Sequence, residues 1–274
     1  MKHFPAGILV AVASIWATAL PVYGGKITGL PLYSVYDYQQ LNTELSSSRL
    51  IEDSIHRILA IEEGTLLAFD GRDWTPAIER NENTPDWVIA VSKSPDGTLY
   101  AGTIGNWGYL LPHKDGRYMF RSISEDLDRR WASTSRFDTI VPSGNGALFA
   151  AQNGVVVYEK GGGTHVYRDI QQTTHAFWHH DSYYVARRNA NMIRIKPGQT
   201  PENCAWTTPA PPDCVFIGHM YSENGIVLLS QNHGFFLLTE SGPEAFSCPA
   251  DPLIRKGSGQ LVTLSNGYVA IAID

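Results

Sequence analysis

The sequence predicts an all-β chain, a β-propeller of about five to six four-stranded blades with the last blade incomplete. Three observations carry that prediction. A strand–turn–strand order recurs along the chain at a spacing of roughly 40 residues. Its turns are Asn-Gly, Asp-Gly or Gly-Gly, the strongest short-range hairpin signals. No window sustains the apolar period of about 3.6 residues that a helix needs. Composition agrees: 13 Tyr, 10 Phe, 7 Trp and 25 Gly among 274 residues favour many strands joined by tight turns. With 43% hydrophobic and 18% charged residues, the chain has ample apolar material for a core. A net charge of −6 argues against a nucleic-acid partner, because phosphate binding needs a positive field.

Taken in order, residues 1–24 read as a signal peptide. Met1-Lys2-His3 is a short basic start, Ile8 to Leu20 is apolar, and small residues lead to a cleavage point at Gly24/Gly25. The apolar run is shorter than the roughly 20 residues of a membrane helix, and no second span follows. A periplasmic or secreted protein is expected, with residues 25–274 forming one propeller domain. Pro31-LYSVYDY is suited to the strand that closes such a ring.

Residues 49–74 form a shorter first copy of the repeat, and residues 87–123 and 137–170 form full ones. A fourth copy, 176–195, runs into a Pro- and Cys-rich loop, and a fifth spans 215–242. Each is a meander of short apolar strands that cannot bury both faces alone, and radial stacking covers them. After Tyr268-VAIAI the sequence stops with two strands of a further unit. This favours a chain that is the front part of a longer propeller, with an open edge where the last sheet lacks partners.

Cys204 and Cys214 bracket the Pro-rich stretch, so a disulfide could pin it, while three reduced and partly buried thiols fit as well. No C-x-x-C pair exists. His175, His179 and His180 have a metal-like spacing only on a helix; on a strand, positions four apart lie about 13 Å from each other. No metal and no cofactor are expected.

Leu67-AFDGRDW and SPDGTLYAGTIGNWGYLLPHKDGRYMF, with the opening Gly29-Leu30-Pro31, resemble the two-component regulator propeller repeats. Those repeats build extracytoplasmic sensor regions of bacterial histidine kinases and related signalling proteins. Later copies depart from the pattern: Ala150-Ala151-Gln152 and Ala186-Arg187-Arg188 stand where the repeat ends in Gly-Thr. The resemblance implies signal perception outside the cytoplasm. It also implies a membrane-anchored output module, which this chain does not contain.

In a propeller the loops between second and third strands share one face. Here they carry Glu62-Glu63, Asn106 and Trp107, Gln152 and Asn153, Arg187, Arg188 and Asn191, and Gln231 with His233. Amides, an aromatic platform and Arg forks suit a small polar ligand of carbohydrate type, held by directional hydrogen bonds and stacking. Arg187 and Arg188 would suit a carboxylate or sulfate. Trp107 and the Arg pair stand out, because no turn requires Trp or Arg. The reading is a ligand-binding sensor without chemistry of its own. The alternative is a secreted propeller enzyme, a lyase or glycosidase acting on a polysaccharide, and a third class is a protein scaffold with an apolar patch.

Overall fold

The computed structural model describes residues 50–79, 85, 87–124, 129–188, 190–256, 259, 261–263 and 269–271. They form five four-stranded antiparallel sheets and one two-stranded sheet. The first sheet holds β1 (Leu50–Glu52), β2 (Ile58–Glu62), β3 (Thr65–Phe69) and β4 (Trp74–Pro76). The second holds β5 (Val88–Lys93), β6 (Leu99–Thr103), β7 (Trp107–Pro112) and β8 (Tyr118–Ser122). The third holds β9 (Thr139–Ser143), β10 (Gly146–Ala151), β11 (Gly154–Glu159) and β12 (Gly163–Tyr167). The fourth holds β13 (Thr173–His179), β14 (Ser182–Arg187), β15 (Ala190–Ile195) and β16 (Glu202–Asn203). The fifth holds β17 (Phe216–Ser222), β18 (Gly225–Ser230), β19 (Gly234–Thr239) and β20 (Gly242–Phe246). β21 (Leu261–Thr263) pairs with β22 (Val269–Ile271). Among the described residues helix is confined to α1 (Arg129–Ser133) and α2 (Asp251–Ile254). None of the described helices is long and apolar enough to cross a membrane.

In each sheet the strands lie in chain order, so every connection is a hairpin. In the second, third and fifth sheets the first hairpin is fastened by a serine at the end of the first strand. Ser94 donates across its turn to the Thr98 carbonyl at 3.1 Å, Ser143 to Gly146 at 3.3 Å, and Ser222 to Gly225 at 2.9 Å. In the Pro95-Asp96-Gly97 turn the last residue has φ 86°, a left-handed conformation that glycine adopts at least cost. Gly102 serves packing instead: a side-chain carbon there would lie 2.2 Å from the Phe137 carbonyl oxygen, so only glycine lets the third blade's entry lie against β6.

The chain divides into two compact units, and the division falls inside the fourth sheet, at Tyr183. In the first unit the innermost strands are neighbours, with β9 against both β5 and β13. One core there lies between the first and second sheets, through Leu59, Leu66, Val91, Leu99, Leu110 and Phe120. Another lies between the second and third, through Tyr100, Trp107, Phe137, Phe149 and Val156. In the second unit Met220, Leu229 and Phe235 of the fifth sheet pack with Ile254 of α2 and with Val269 and Ile271 of β22. The two-stranded sheet is thereby buried on the face toward β17.

Two expectations change, and for the cysteines one of the two open alternatives holds. The first copy of the repeat is a complete four-stranded sheet. The Pro- and Cys-rich loop contains the short strand β16, paired to β15 through Ile193–Asn203 and Arg194–Glu202. All three cysteines are free thiols. Main-chain hydrogen bonds pin the loop in place of a disulfide: Cys204 donates to Met192 at 2.9 Å and Thr208 to Ser241 at 2.8 Å. The signal peptide and the ring-closing strand at Pro31 lie outside the described residues.

Candidate ligand site

A cleft of about 490 Å³ opens in the second unit, where the turn from β14 to β15 meets the chain leading into β17. Arg187, Asn191, Trp206, Pro211, Asp213 and Phe216 are among its walls. Arg187 ends β14, half-buried, and its guanidinium is aimed by its neighbours. Nε and Nη2 donate to the Asn191 carbonyl at 3.3 and 3.2 Å, and Nη2 donates to Asn203 Oδ1 at 3.3 Å. β16 therefore exists at the right place to orient this Arg. The oxygens that hold it are neutral, so its charge is steered toward the cleft without a carboxylate on it in these contacts.

Trp206 supplies an aromatic wall. Its backbone N–H donates to the Cys204 carbonyl at 3.0 Å, and its side chain lies against Gly242, where an added carbon would meet Trp206 Cβ at 3.1 Å. The same carbon would lie only 2.2 Å from the Thr208 carbonyl oxygen, so glycine at the start of β20 makes room first for the backbone at Thr208 and then for the Trp206 side chain.

One lining residue, Asp213, is held by a polar chain that does not itself line the cleft. His233 Nε2 lies 2.9 Å from Asp213 Oδ1, and Asn232 Nδ2 donates to Asp213 Oδ2 at 3.3 Å and to its carbonyl at 3.2 Å. Ser230 Oγ donates to Asn232 Oδ1 at 3.1 Å and accepts from the His233 N–H at 3.3 Å. The His233 contact, with a backbone N–H, holds the Asp213 carboxyl below the usual range. Behind it, burial pushes the Cys214 thiol up, so this buried sulfur stays protonated and donates to Ser230 Oγ at 3.3 Å. Burial likewise raises Cys204, to about 11.

Of the residues expected to bind, Arg187 and Asn191 line this cleft, and His233 reaches it through Asp213. Arg188 is exposed and outside the lining, and Gln231 is exposed with its N–H on the Val215 carbonyl at 2.9 Å. Asn106, Trp107, Gln152 and Asn153 belong to the first unit. Trp107 is corrected outright. It is 0% exposed, with its ring 4.6 Å from Phe137 and edge-on to Trp131 at 6.4 Å, and it cannot be a stacking platform. Asn106 is a turn-maker: its Oδ1 accepts from the Trp107 N–H at 2.7 Å and from the hydroxyls of Ser122 and Ser124 at 2.8 and 2.6 Å. Asn153 is half-buried and gives its carbonyl to Trp131 Nε1 at 3.0 Å. Gln152 is exposed, with its carbonyl bonded to the Gln172 N–H at 2.8 Å. Trp206 and Asp213 were missed. The available signal was Trp206 itself, a large aromatic in a loop rich in proline.

No protein-family profile matches this chain, and no curated protein matches it. Solved structures do match. The extracellular domain of BT4673 from B. thetaiotaomicron is called a one component system in one structure and a hybrid two component system in another. The former superposes with a TM-score of 0.59 at 16% identity over 83% of this chain. Virginiamycin B lyase from Staphylococcus aureus superposes with a TM-score of 0.59 at 12% identity, over 86% of this chain and 87% of the lyase. The fold is a β-propeller. This chain spans 31% of the length of the BT4673 domain. At such identities the likeness is one of fold, and propellers of this architecture serve both recognition and catalysis.

Proposed function

We propose that this chain is an extracytoplasmic, ligand-binding sensor propeller that takes a small polar ligand with a carboxylate or sulfate group in the cleft beside Arg187. The observation that carries this reading is the aim of Arg187: a half-buried guanidinium held by neutral oxygens in the wall of a 490 Å³ cleft. An anion there meets a fixed fork of donors, and Trp206 offers a flat apolar face for the rest of the ligand. The extracellular domain that shares the fold supports a role in perception outside the cytoplasm. The test is a thermal-shift screen with glucuronate, galacturonate and sulfated galactose against the wild type and Arg187→Gln. A ligand of this class raises the melting temperature of the wild type, because it binds only the native state. The variant loses most of that shift while its unliganded melting temperature barely moves, since Arg187 is not in the core. Equal shifts in both proteins would exclude Arg187 as the anchor.

A second reading rests on the His233–Asp213 pair. A histidine oriented by a carboxylate at 2.9 Å is the arrangement of a general base, and a lyase needs one to remove a proton. It predicts turnover of an acidic polysaccharide, seen as new ultraviolet absorbance, that His233→Ala abolishes. Binding without turnover favours the sensor.

A further inference from the structure

The cleft beside Arg187 has charges of both signs in its lining: one guanidinium, Arg187, and one carboxylate, Asp213. Several charges elsewhere cancel in pairs, as where Arg57 lies 2.9 Å from Asp53 and Lys196 lies 2.5 Å from Asp181. These two do not. Among the described residues Arg187 has no carboxylate partner, and Asp213 has His233 as its ion-pair partner, with no Lys or Arg. Nor do they pair with each other.

Unlike charges that share one cleft attract, and their other contacts keep these two apart. Arg187 is tied to the third and fourth strands of its sheet, through the Asn191 carbonyl at 3.2 Å and Asn203 Oδ1 at 3.3 Å. Asp213 is tied to the turn between β18 and β19, through Asn232 at 3.3 Å and His233 at 2.9 Å. Both keep capacity for a ligand. Arg187 uses Nε and Nη2 in these contacts, which leaves Nη1 free to donate. The Asp213 side chain is 71% exposed, and of the roughly four lone-pair sites of a carboxylate these contacts engage two.

Such a lining sorts ligands by charge. An anion alone meets Arg187 but is repelled by Asp213, a cation alone meets the reverse, and a neutral molecule leaves both charges unanswered. A molecule with both an ammonium and a carboxylate answers both. The rest of the lining is largely apolar, with Met192, Trp206, Pro211 and Phe216. Its volume of about 490 Å³ lies within the roughly 300–1,000 Å³ of small-molecule sites.

We propose that the ligand of this cleft is a zwitterion, an amino acid or short peptide whose carboxylate bonds Arg187, whose ammonium bonds Asp213 and whose apolar side chain lies on Trp206 and Phe216. This narrows the ligand class and rests on the reading of Arg187 as an anion anchor. Calorimetry at neutral pH tests it with phenylalanine and glycylphenylalanine, which differ in the span between their charges. Phenylpropionate and N-acetylphenylalanine keep the ring and carboxylate without the ammonium, and phenethylamine lacks the carboxylate. The amino acid or the dipeptide binds the wild type roughly tenfold more tightly than these analogues, because each analogue loses a hydrogen bond between charged groups. The tighter of the two identifies the source. Asp213→Asn lowers the affinity for the zwitterion to that for phenylpropionate, and Arg187→Gln loses both. The ligand comparison on the wild type needs no variant, so it decides even if a variant fails to fold. If phenylpropionate binds as tightly as the zwitterions and Arg187→Gln loses it, the zwitterion is wrong and the anion anchor stands. Phenethylamine binding as tightly, or a folded Asp213→Asn that keeps the full preference, also overturns the zwitterion. If no carboxylate binds at millimolar concentration, or Arg187→Gln keeps wild-type affinity, the anchor fails and this inference with it.

Discussion

Trp107 opens β7 with no exposed surface, wedged against Phe137 and edge-on to Trp131. In the sequence it follows Gly105-Asn106 and has the surroundings of a turn, so a loop position was the natural reading. The turn ends one residue earlier. Asn106 closes it through its side chain, and Trp107 is already a strand residue facing the third sheet. One-residue shifts of this kind reverse the face on which a side chain lies, and local signals do not fix them. Truncating an aromatic in a packed core removes its transfer energy and leaves a cavity, costing about 3–5 kcal/mol. Trp107→Ala is therefore expected to lower the urea midpoint strongly, and it should do so whether or not any ligand is present. A midpoint within a few tenths of the wild type would place Trp107 outside the core.

The turns that join strands are the elements where charge supports the propeller. Asp53, in the turn between β1 and β2, has a fully buried carboxylate. It accepts from the N–H groups of Ile55 and Arg57, from Arg57 Nε and from the Tyr118 hydroxyl, each at 2.9 Å. Arg57 extends the network to the Gly116 carbonyl at 2.7 Å, and so links the first blade's turn to the last turn of the second. Burial alone would raise the Asp53 pKa, but these hydrogen bonds outweigh it and leave the group below its ordinary value. The folded pKa thus lies under the unfolded one of about 3.9. The stabilisation is complete above the unfolded value and disappears as pH falls through the folded value. Asp53→Asn removes the charge and leaves Arg57 unpaired, which for a buried pair costs about 3–5 kcal/mol at neutral pH. Urea titrations of both proteins from neutral to acidic pH check this: the gap between them should narrow in acid. A gap independent of pH would show that Asp53 acts only as a turn-former. None of this network was legible in the sequence, since Asp53 and Tyr118 stand 65 positions apart in the chain.

Across the whole molecule, the features that were legible are the local ones. Strand alternation and turn residues act within a few positions, so the repeated hairpins and the two-stranded last sheet could be read directly. The candidate sites are assembled from separate hairpins. Arg187 needs Asn203 to aim it, and Asp213 needs His233, pairings that no short window reveals. β16, only two residues long, gave no periodic signal at all. The same hierarchy should govern how the chain opens. In stacked-sheet repeats, stability is the sum of local terms and nearest-neighbour interfaces. β10 is buried along its whole length, and Leu148, Phe149, Val155 and Val156 of β10 and β11 have no exposed surface. β16 is exposed at both of its residues, and among the described residues β22 has β21 as its one strand partner. Amide exchange requires opening, and the opening free energy is largest where apolar contacts are densest. Hydrogen exchange followed by mass spectrometry should therefore find peptides covering residues 146–159 the slowest. Peptides covering 200–206 and 261–271 should be the fastest among the strands. Uniform rates along the chain would mean that it opens only as one cooperative block.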